Sequence, residues 1–259
     1  MSTLEITRGG PIATIWMNRP EVHNAFDEAL IADLTAACRQ LDADDSVRAV
    51  VLAGRGKSFS AGADLAWMKR AASYTVEENL TDAGALAAML RTLADMKKPT
   101  VARVQGAALG GGTGLTAACD IAIASSTAVF ATSEVKFGII PSAISPYVLR
   151  AIGPRQALRY FQSAERFGAA EAKAMGLVGE VVTLDELDAA VDRLVQALLA
   201  CGPQAQLAAK QLIAALAGRP IDDAVAEETA GRIARQRATT EAREGFAAFF
   251  DKRSPAWMQ

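Results

Sequence analysis

Two glycine-rich stretches about fifty residues apart constrain this chain more than any other feature: GRGKSFSAGADL (Gly54 to Leu65) and VQGAALGGGTGL (Val104 to Leu115). Each follows a short β-branched run, Val47 to Leu52 and Val101 to Val104, and each leads toward a helix-like pattern. Glycine lets a backbone turn tightly, reach positive φ and approach a ligand with no Cβ in the way. Two such loops can aim two backbone N–H groups at one point, an arrangement that holds a developing oxyanion.

The rest of the chain fits around that pair. Leu4 to Thr7 and Ile12 to Met17 read as a hairpin about Gly9-Gly10-Pro11. Between Asp27 and Leu41 the apolar residues Leu30, Ile31, Leu34, Ala37, Cys38 and Leu41 recur at the spacing of one helix face. A long helix is expected from about Val76 to Met96, with Leu86, Leu90 and Leu93 on one side and Pro99 beyond its end. Ile121 to Ala124 is a further strand. Strand, glycine loop and helix therefore occur twice in succession, which predicts an α/β protein with strands buried on both faces. Beyond Pro141 the pattern is helical, with Gly176 closing a helix at Met175, a last strand at Gly179 to Val182 and a helix from Leu184 to Ala200. Residues 1–200 read as a core and 201–259 as an alanine-rich helical region that packs on the core, on another subunit, or on both.

At 259 residues and 51% hydrophobic, the chain can bury a large core. A net charge of −2 argues against a nucleic-acid or anionic-membrane surface, though not against a small anionic ligand held by a few local cations. Cys38, Cys119 and Cys201 show neither zinc nor redox spacing and read as buried free thiols. The first residues lack a basic segment followed by an apolar one, and no apolar stretch reaches a membrane span. The expected location is the cytoplasm.

Several motifs fail on inspection. GRGKS (Gly54 to Ser58) would need a glycine five residues before Gly56 to be a phosphate loop, and Val51 stands there. The GGG cluster misses dinucleotide spacing because Leu115 holds the last glycine position. His23 is the only histidine, which excludes a histidine-centred metal site or a His–His acid/base pair, and it reads as a loop residue. There is no G-x-S-x-G elbow. The remaining chemical candidate is Glu134, set among Phe130, Val135, Phe137, Ile139 and Ile140. A carboxyl in apolar surroundings has its pKa raised and suits acid/base work near neutrality. A solvated loop glutamate or a structural salt bridge is the alternative.

The ordered set NRPEVHNAF, SFSAGADL, VQGAALGGG, CDIAIAS, FATSEVKFGIIP and AERFGAAEAKAMGLVGEVV resembles the enoyl-CoA hydratase/isomerase (crotonase) family, from about Ile12 to Arg253. Single motifs are weak, but their order and spacing together are specific. Ser142 to Phe167 further resembles bacterial 3-methylglutaconyl-CoA hydratases. The resemblance implies a spiral of ββα repeats with C-terminal helices that form a homotrimer, often a dimer of trimers. It implies an acyl-CoA thioester substrate, no metal and no separate cofactor. It maps an oxyanion hole onto the N–H groups of Ala63 and Gly111, with Gly110 beside it and Glu134 as acid/base. Ala61, Asp64 and Leu65 would line the CoA channel. Ser142 and Tyr147 would face the acyl group, and Lys252, with Arg253, would reach the nucleotide phosphates unless both are plain surface cations. Arg19 and His23 are weaker phosphate contacts. An RNA-binding or scaffolding member of the fold is disfavoured by the acidic balance and the lack of a basic-aromatic stripe.

One position departs from the pattern. Two-glutamate hydratases carry a glutamate where this chain has Gly114, so one of two acid/base carboxyls is missing. A single glutamate suffices for a Δ3-Δ2 enoyl-CoA isomerase, the rival reading. Methylglutaconyl-type hydratases can also carry a glycine here, and the glycine is expected to make room for a crowded β-carbon. Glu134 would then orient water with help from Thr113, Ser142, Ser145 or Tyr147. A dehalogenase would need a carboxylate nucleophile where Leu115 stands. A glutaconyl substrate also carries a distal carboxylate, for which Lys69, Arg70 and Lys136 are the nearby cations.

Overall fold

The protein is described by a computed structural model covering residues 2–258. Among these residues the chain forms nine strands and ten α-helices. The hairpin β1 (Leu4–Gly9) and β2 (Ile12–Met17) pairs antiparallel and edges the main sheet. The sheet continues in parallel through β3 (Ala49–Gly54), β4 (Thr100–Val104), β6 (Ile121–Ser125) and β9 (Glu180–Val182). A smaller three-stranded sheet holds β5 (Ala107–Leu109), β7 (Val129–Ala131) and β8 (Phe167–Gly168), in the order β5-β7-β8.

Successive side chains of a strand point to opposite faces, so a strand without polar alternation must be covered twice. β3 is buried at every residue. Val50 and Leu52 enter the larger core, with Leu30, Leu34, Leu90 and Leu93 of α1 (Glu28–Ala43) and α3 (Val76–Ala94). Ala49 and Val51 enter the smaller core, with Leu187, Val191 and Val195 of α7 (Leu187–Leu199). All six apolar positions expected on the first helix are buried, and Asp27 caps it by accepting from the Leu30 N–H. Thr75 and Glu78 form a reciprocal cap on α3. Gly176 closes α6 (Ala169–Met175) in the left-handed conformation expected of it.

Four elements were not expected. α2 (Leu65–Ala71) follows the first glycine loop directly, and the strands β5, β7 and β8 are too short to show a period. α4 (Gly111–Ala118) opens at the GGG cluster, and α5 (Ser145–Ser163) runs past Gly153-Pro154, where its helical dihedrals break. α8 (Pro203–Leu216), α9 (Asp223–Arg237) and α10 (Thr240–Phe250) make up the C-terminal region. Two polar ties fasten that region to the core. Lys210 donates to Met96 O and to the Asp120 carboxyl, which also accepts from Thr100 N and Oγ1. Arg48 donates to the carbonyls of Leu199, Cys201 and Trp257. Cys38 and Cys119 are buried as expected, with burial pushing the Cys38 thiol up to about 12, whereas Cys201 is exposed. Cys201 follows the last turn of α7, at the surface connection to α8.

Candidate active site

The two glycine loops lie against each other. Ser60 and Ala108 form a parallel bridge, in which Ser60 N donates to Ala107 O and Leu109 N donates to Ser60 O. Gly62, at φ 93°, and Gly110, at φ 51°, occupy backbone conformations that other residues rarely adopt. A Cβ on Gly62 would stand 2.9 Å from Leu109 O, and one on Gly110 would stand 3.9 Å from the Gly62 Cα. The Gly62 contact leaves no space for a larger residue, and at Gly110 the positive φ disfavours one.

A second bridge orients Ala63. Phe26 N donates to Gly62 O at 2.6 Å and Asp64 N donates to Phe26 O at 2.8 Å. Both flanking peptide groups of Ala63 thus face Phe26, and the N–H of Ala63 itself is turned the other way, with no protein acceptor among the described residues. Gly111 is the first residue of α4, where N–H groups have no partner within the helix. The two free donors come from adjacent loops. Phe26 joins them, because its ring is also packed against Gly111: a Cβ there would lie 2.7 Å from Phe26 Cδ2.

Register carries Glu134 to the same spot. β5 and β7 pair Leu109 with Ala131, and Gly110 N donates to Ala131 O at 2.8 Å. Three residues past Ala131, Glu134 starts a short 3-10 turn (Glu134–Phe137), and its Oε1 lies 3.2 Å from where a Gly110 Cβ would be. Glu134 Oε2 is buried without a hydrogen-bond partner. Burial raises its pKa from the usual 4.5, partly offset by a backbone N–H. Of the sequence neighbours expected to desolvate it, Phe130 is fully buried and Val135 half-buried, whereas Phe137, Ile139 and Ile140 are 62%, 55% and 72% exposed. Gly110 of the second glycine loop lies directly against the carboxyl.

Gly114 corrects another expectation. It makes no room, because buried Ile144 fills the space: a Cβ on Gly114 would lie 2.8 Å from Ile144 Cβ, with Cγ2 nearer still. Thr113 cannot steer water either. It is fully buried, and its hydroxyl donates to Ala108 O and Ala131 O, clasping β5 and β7 to α4. Ser145 Oγ donates to Ser142 O, whereas Ser142 is exposed and Tyr147 is half-buried without a hydrogen bond to its hydroxyl. Leu115 is wholly inside the core.

Around the loops, Ala61 N donates to His23 O, and the His23 ring contacts Ser58 Oγ at 3.1 Å. Asp64 caps α2 by accepting from Ala66 N and Trp67 N, and Leu65 is 83% exposed beside it. Arg19 does not reach outward. Its guanidinium binds Ala25 O and the carboxylates of Asp27 and Asp64. Arg70 is paired with Glu28, while Lys69 and Lys136 are exposed with no ion pair among the described residues. Arg253 is paired with Glu244, and Lys252 stands exposed after α10, with no bond linking it to the loops. The sequence reading overlooked Phe26 and Ile144. Phe26 lay inside a quoted motif, but only the fold shows its double contact.

Comparison with known proteins identifies the family. The sequence model of the enoyl-CoA hydratase/isomerase family matches residues 7–259. The crystal structure of an enoyl-CoA hydratase from Shewanella pealeana superposes with a TM-score of 0.95 at 43% identity, over 98% of this chain and 96% of that one. A Thermus thermophilus protein named for enoyl-CoA hydratase is 35% identical over 246 residues, 95% of this chain and 97% of its own. A 4-chlorobenzoyl coenzyme A dehalogenase of Arthrobacter is 34% identical over 191 residues, 73% of this chain and 69% of its own. The chain belongs to the enoyl-CoA hydratase/isomerase family and has the crotonase fold. It is an enzyme of that family.

Proposed function

We propose that the enzyme adds water reversibly to a branched 2-enoyl-CoA of the 3-methylglutaconyl type, with Ala63 and Gly111 N–H groups as the oxyanion hole and Glu134 as the only acid/base. The observation that carries the reading is a buried carboxyl oxygen without a partner, on a carboxyl that lies over the joined glycine loops. Chemistry at the α- or β-carbon of an enoyl thioester passes through an enolate-like state with charge on the carbonyl oxygen. Two fixed N–H donors, one at a helix N-terminus, stabilise that charge where it forms. Loss of one such donor typically costs about 3 kcal/mol. Glu134, its pKa raised by burial, takes a proton from the water that adds at the β-carbon and delivers one to the α-carbon.

The branched substrate rests on the resemblance of Ser142 to Phe167, since the filled space at Gly114 withdraws the steric argument. Lys69 and Lys136 are the cations left for a distal carboxylate, because Arg70 is already paired. Exposed Leu65 with Ala61 and Asp64 would border the CoA channel, and Lys252 the phosphates. The apolar residues Ile213, Phe246, Phe249 and Phe250, exposed on the single chain, would be covered in a homotrimer or a dimer of trimers.

Ile144 favours a second reading. With Ile144 filling the space at Gly114, Glu134 is left as the proton carrier, and one carrier is all a Δ3-Δ2 isomerase requires. Purified enzyme assayed on straight and branched 2- and 3-enoyl-CoA thioesters, with product identification, separates the two. Hydration of 3-methylglutaconyl-CoA supports the first. Double-bond migration without hydration establishes the second.

A further inference from the structure

Arg19 holds the residues on either side of Phe26 and the residue that follows Ala63. Its Nη1 donates to Ala25 O at 2.6 Å, and its Nη2 lies 2.9 Å from the Asp27 carboxylate and 3.2 Å from that of Asp64. Ala25 and Asp27 flank Phe26, and Asp64 follows Ala63. Phe26 in turn pairs its backbone with the Ala63 segment and rests its ring on Gly111. The Arg19 N–H also donates to Asn24 Oδ1, and Asn24 is fully buried. One guanidinium thus staples the two strands of chain that aim the Ala63 N–H, and through Phe26 it bears on the second amide.

We propose that Arg19 is a positioning residue of the oxyanion hole, setting the aim of the Ala63 N–H through Asp64 and Phe26. This rests on the amide-pair reading above. A planar guanidinium with several donors in a fixed fork can serve three acceptors at once, which a lysine ammonium does less well. Beside the bridge, Ala61 N donates to His23 O and Ser60 Oγ to Asn24 O, and Arg19 adds an ionic tie at the Asp64 end, next to the Ala63 N–H. A small misplacement of a reacting group costs up to about 100-fold in rate.

The test uses Arg19→Met, Arg19→Lys and Asp64→Asn in the full-length enzyme. Asparagine still caps α2, so Asp64→Asn removes the ionic tie and keeps the helix start if Arg19→Met fails to fold. Two readouts are taken: steady-state kinetics, and the absorbance red shift of a bound cinnamoyl-type CoA thioester, which reports how strongly the carbonyl is polarised. The expectation for Arg19→Met is a kcat drop of about 30-fold, a KM change below about threefold and a smaller red shift. Arg19→Lys is expected to recover part of both. Folded variants that keep the full red shift overturn the proposal, whether or not kcat falls. A wild-type enzyme that shows no red shift removes the amide-pair reading itself, and this inference with it, an outcome visible before any variant is made.

Discussion

Replacing Gly114 by alanine tests whether Ile144 closes the space beside α4. Gly114 lies inside α4 with helical dihedrals, so helix propensity alone predicts that alanine stabilises by roughly 1 kcal/mol. Packing opposes this. The new Cβ would stand 2.8 Å from Ile144 Cβ, nearer to its Cγ2, and Ile144 is 2% exposed, with nowhere to retreat. Overpacking of this kind costs about 1–3 kcal/mol and exceeds the propensity gain at most of that range. The net expectation is a loss of about 1 kcal/mol, or a fall of about 2–4 °C in the unfolding midpoint of a protein this size. Ile144→Ala alone should cost about 2–5 kcal/mol by leaving a cavity. The double variant should cost less than the two single losses added, by about 1 kcal/mol or more, because alanine at 114 then fills part of that cavity. Urea unfolding at one fixed protein concentration measures all three. Stabilisation by Gly114→Ala, or strict additivity in the double variant, would show that Ile144 does not press on Gly114. Activity offers a second arm: Gly114→Glu should stay inactive as a hydration gain until Ile144→Ala makes space for the carboxyl.

Glu134→Gln should lower kcat by at least about 1,000-fold while thioester binding, followed by calorimetry, changes little. The same variant carries a pH signature. The folded pKa of Glu134 lies above the usual 4.5, so the folded state holds the proton longer, and the wild type loses stability as pH rises from about 4.5 through that raised value. Glu134→Gln escapes this loss and should gain on the wild type in unfolding experiments as pH climbs from 4 to 8; a constant difference would refute a raised pKa. Asp120→Ala strands the Thr100 N–H and Lys210 together and should cost about 2–3 kcal/mol, read by urea melts. Arg91→Ala, which breaks the exposed pair with Asp95, should leave the melt unchanged.

Much of the site was legible because its parts are backbone features that demand glycine. Gly62 and Gly110 have positive φ, and the spacing of the two loops after two valine-rich strands announced that both would end on one side of a sheet. Helix faces were equally readable, since Leu30 through Leu41 repeat at 3.6-residue spacing and all face the core. What escaped depends on distance in sequence. β5 pairs with β7 over three residues each, and so brief a strand has no period to detect, yet that register is what brings Glu134 over Gly110. Glu134 was singled out for its apolar neighbours, of which Phe130 is buried while Phe137, Ile139 and Ile140 face solvent, so part of its burial comes from residues distant in sequence such as Gly110.

Gly114 shows why a missing side chain is ambiguous until its surroundings are known. A glycine in place of a larger residue either opens a cavity or accepts a neighbour, and close packing of interiors favours the second. Here the neighbour is Ile144, at the start of α5, thirty residues away in sequence. The position therefore presents no acid: an aliphatic side chain covers α4 where the family resemblance led to the expectation of a carboxyl. Glu134 is desolvated separately, by its own burial, which raises its carboxyl pKa toward the range that suits an acid/base. The filled space at Gly114 and the unpartnered Oε2 of Glu134 together leave Glu134 as the acid/base candidate at the joined loops.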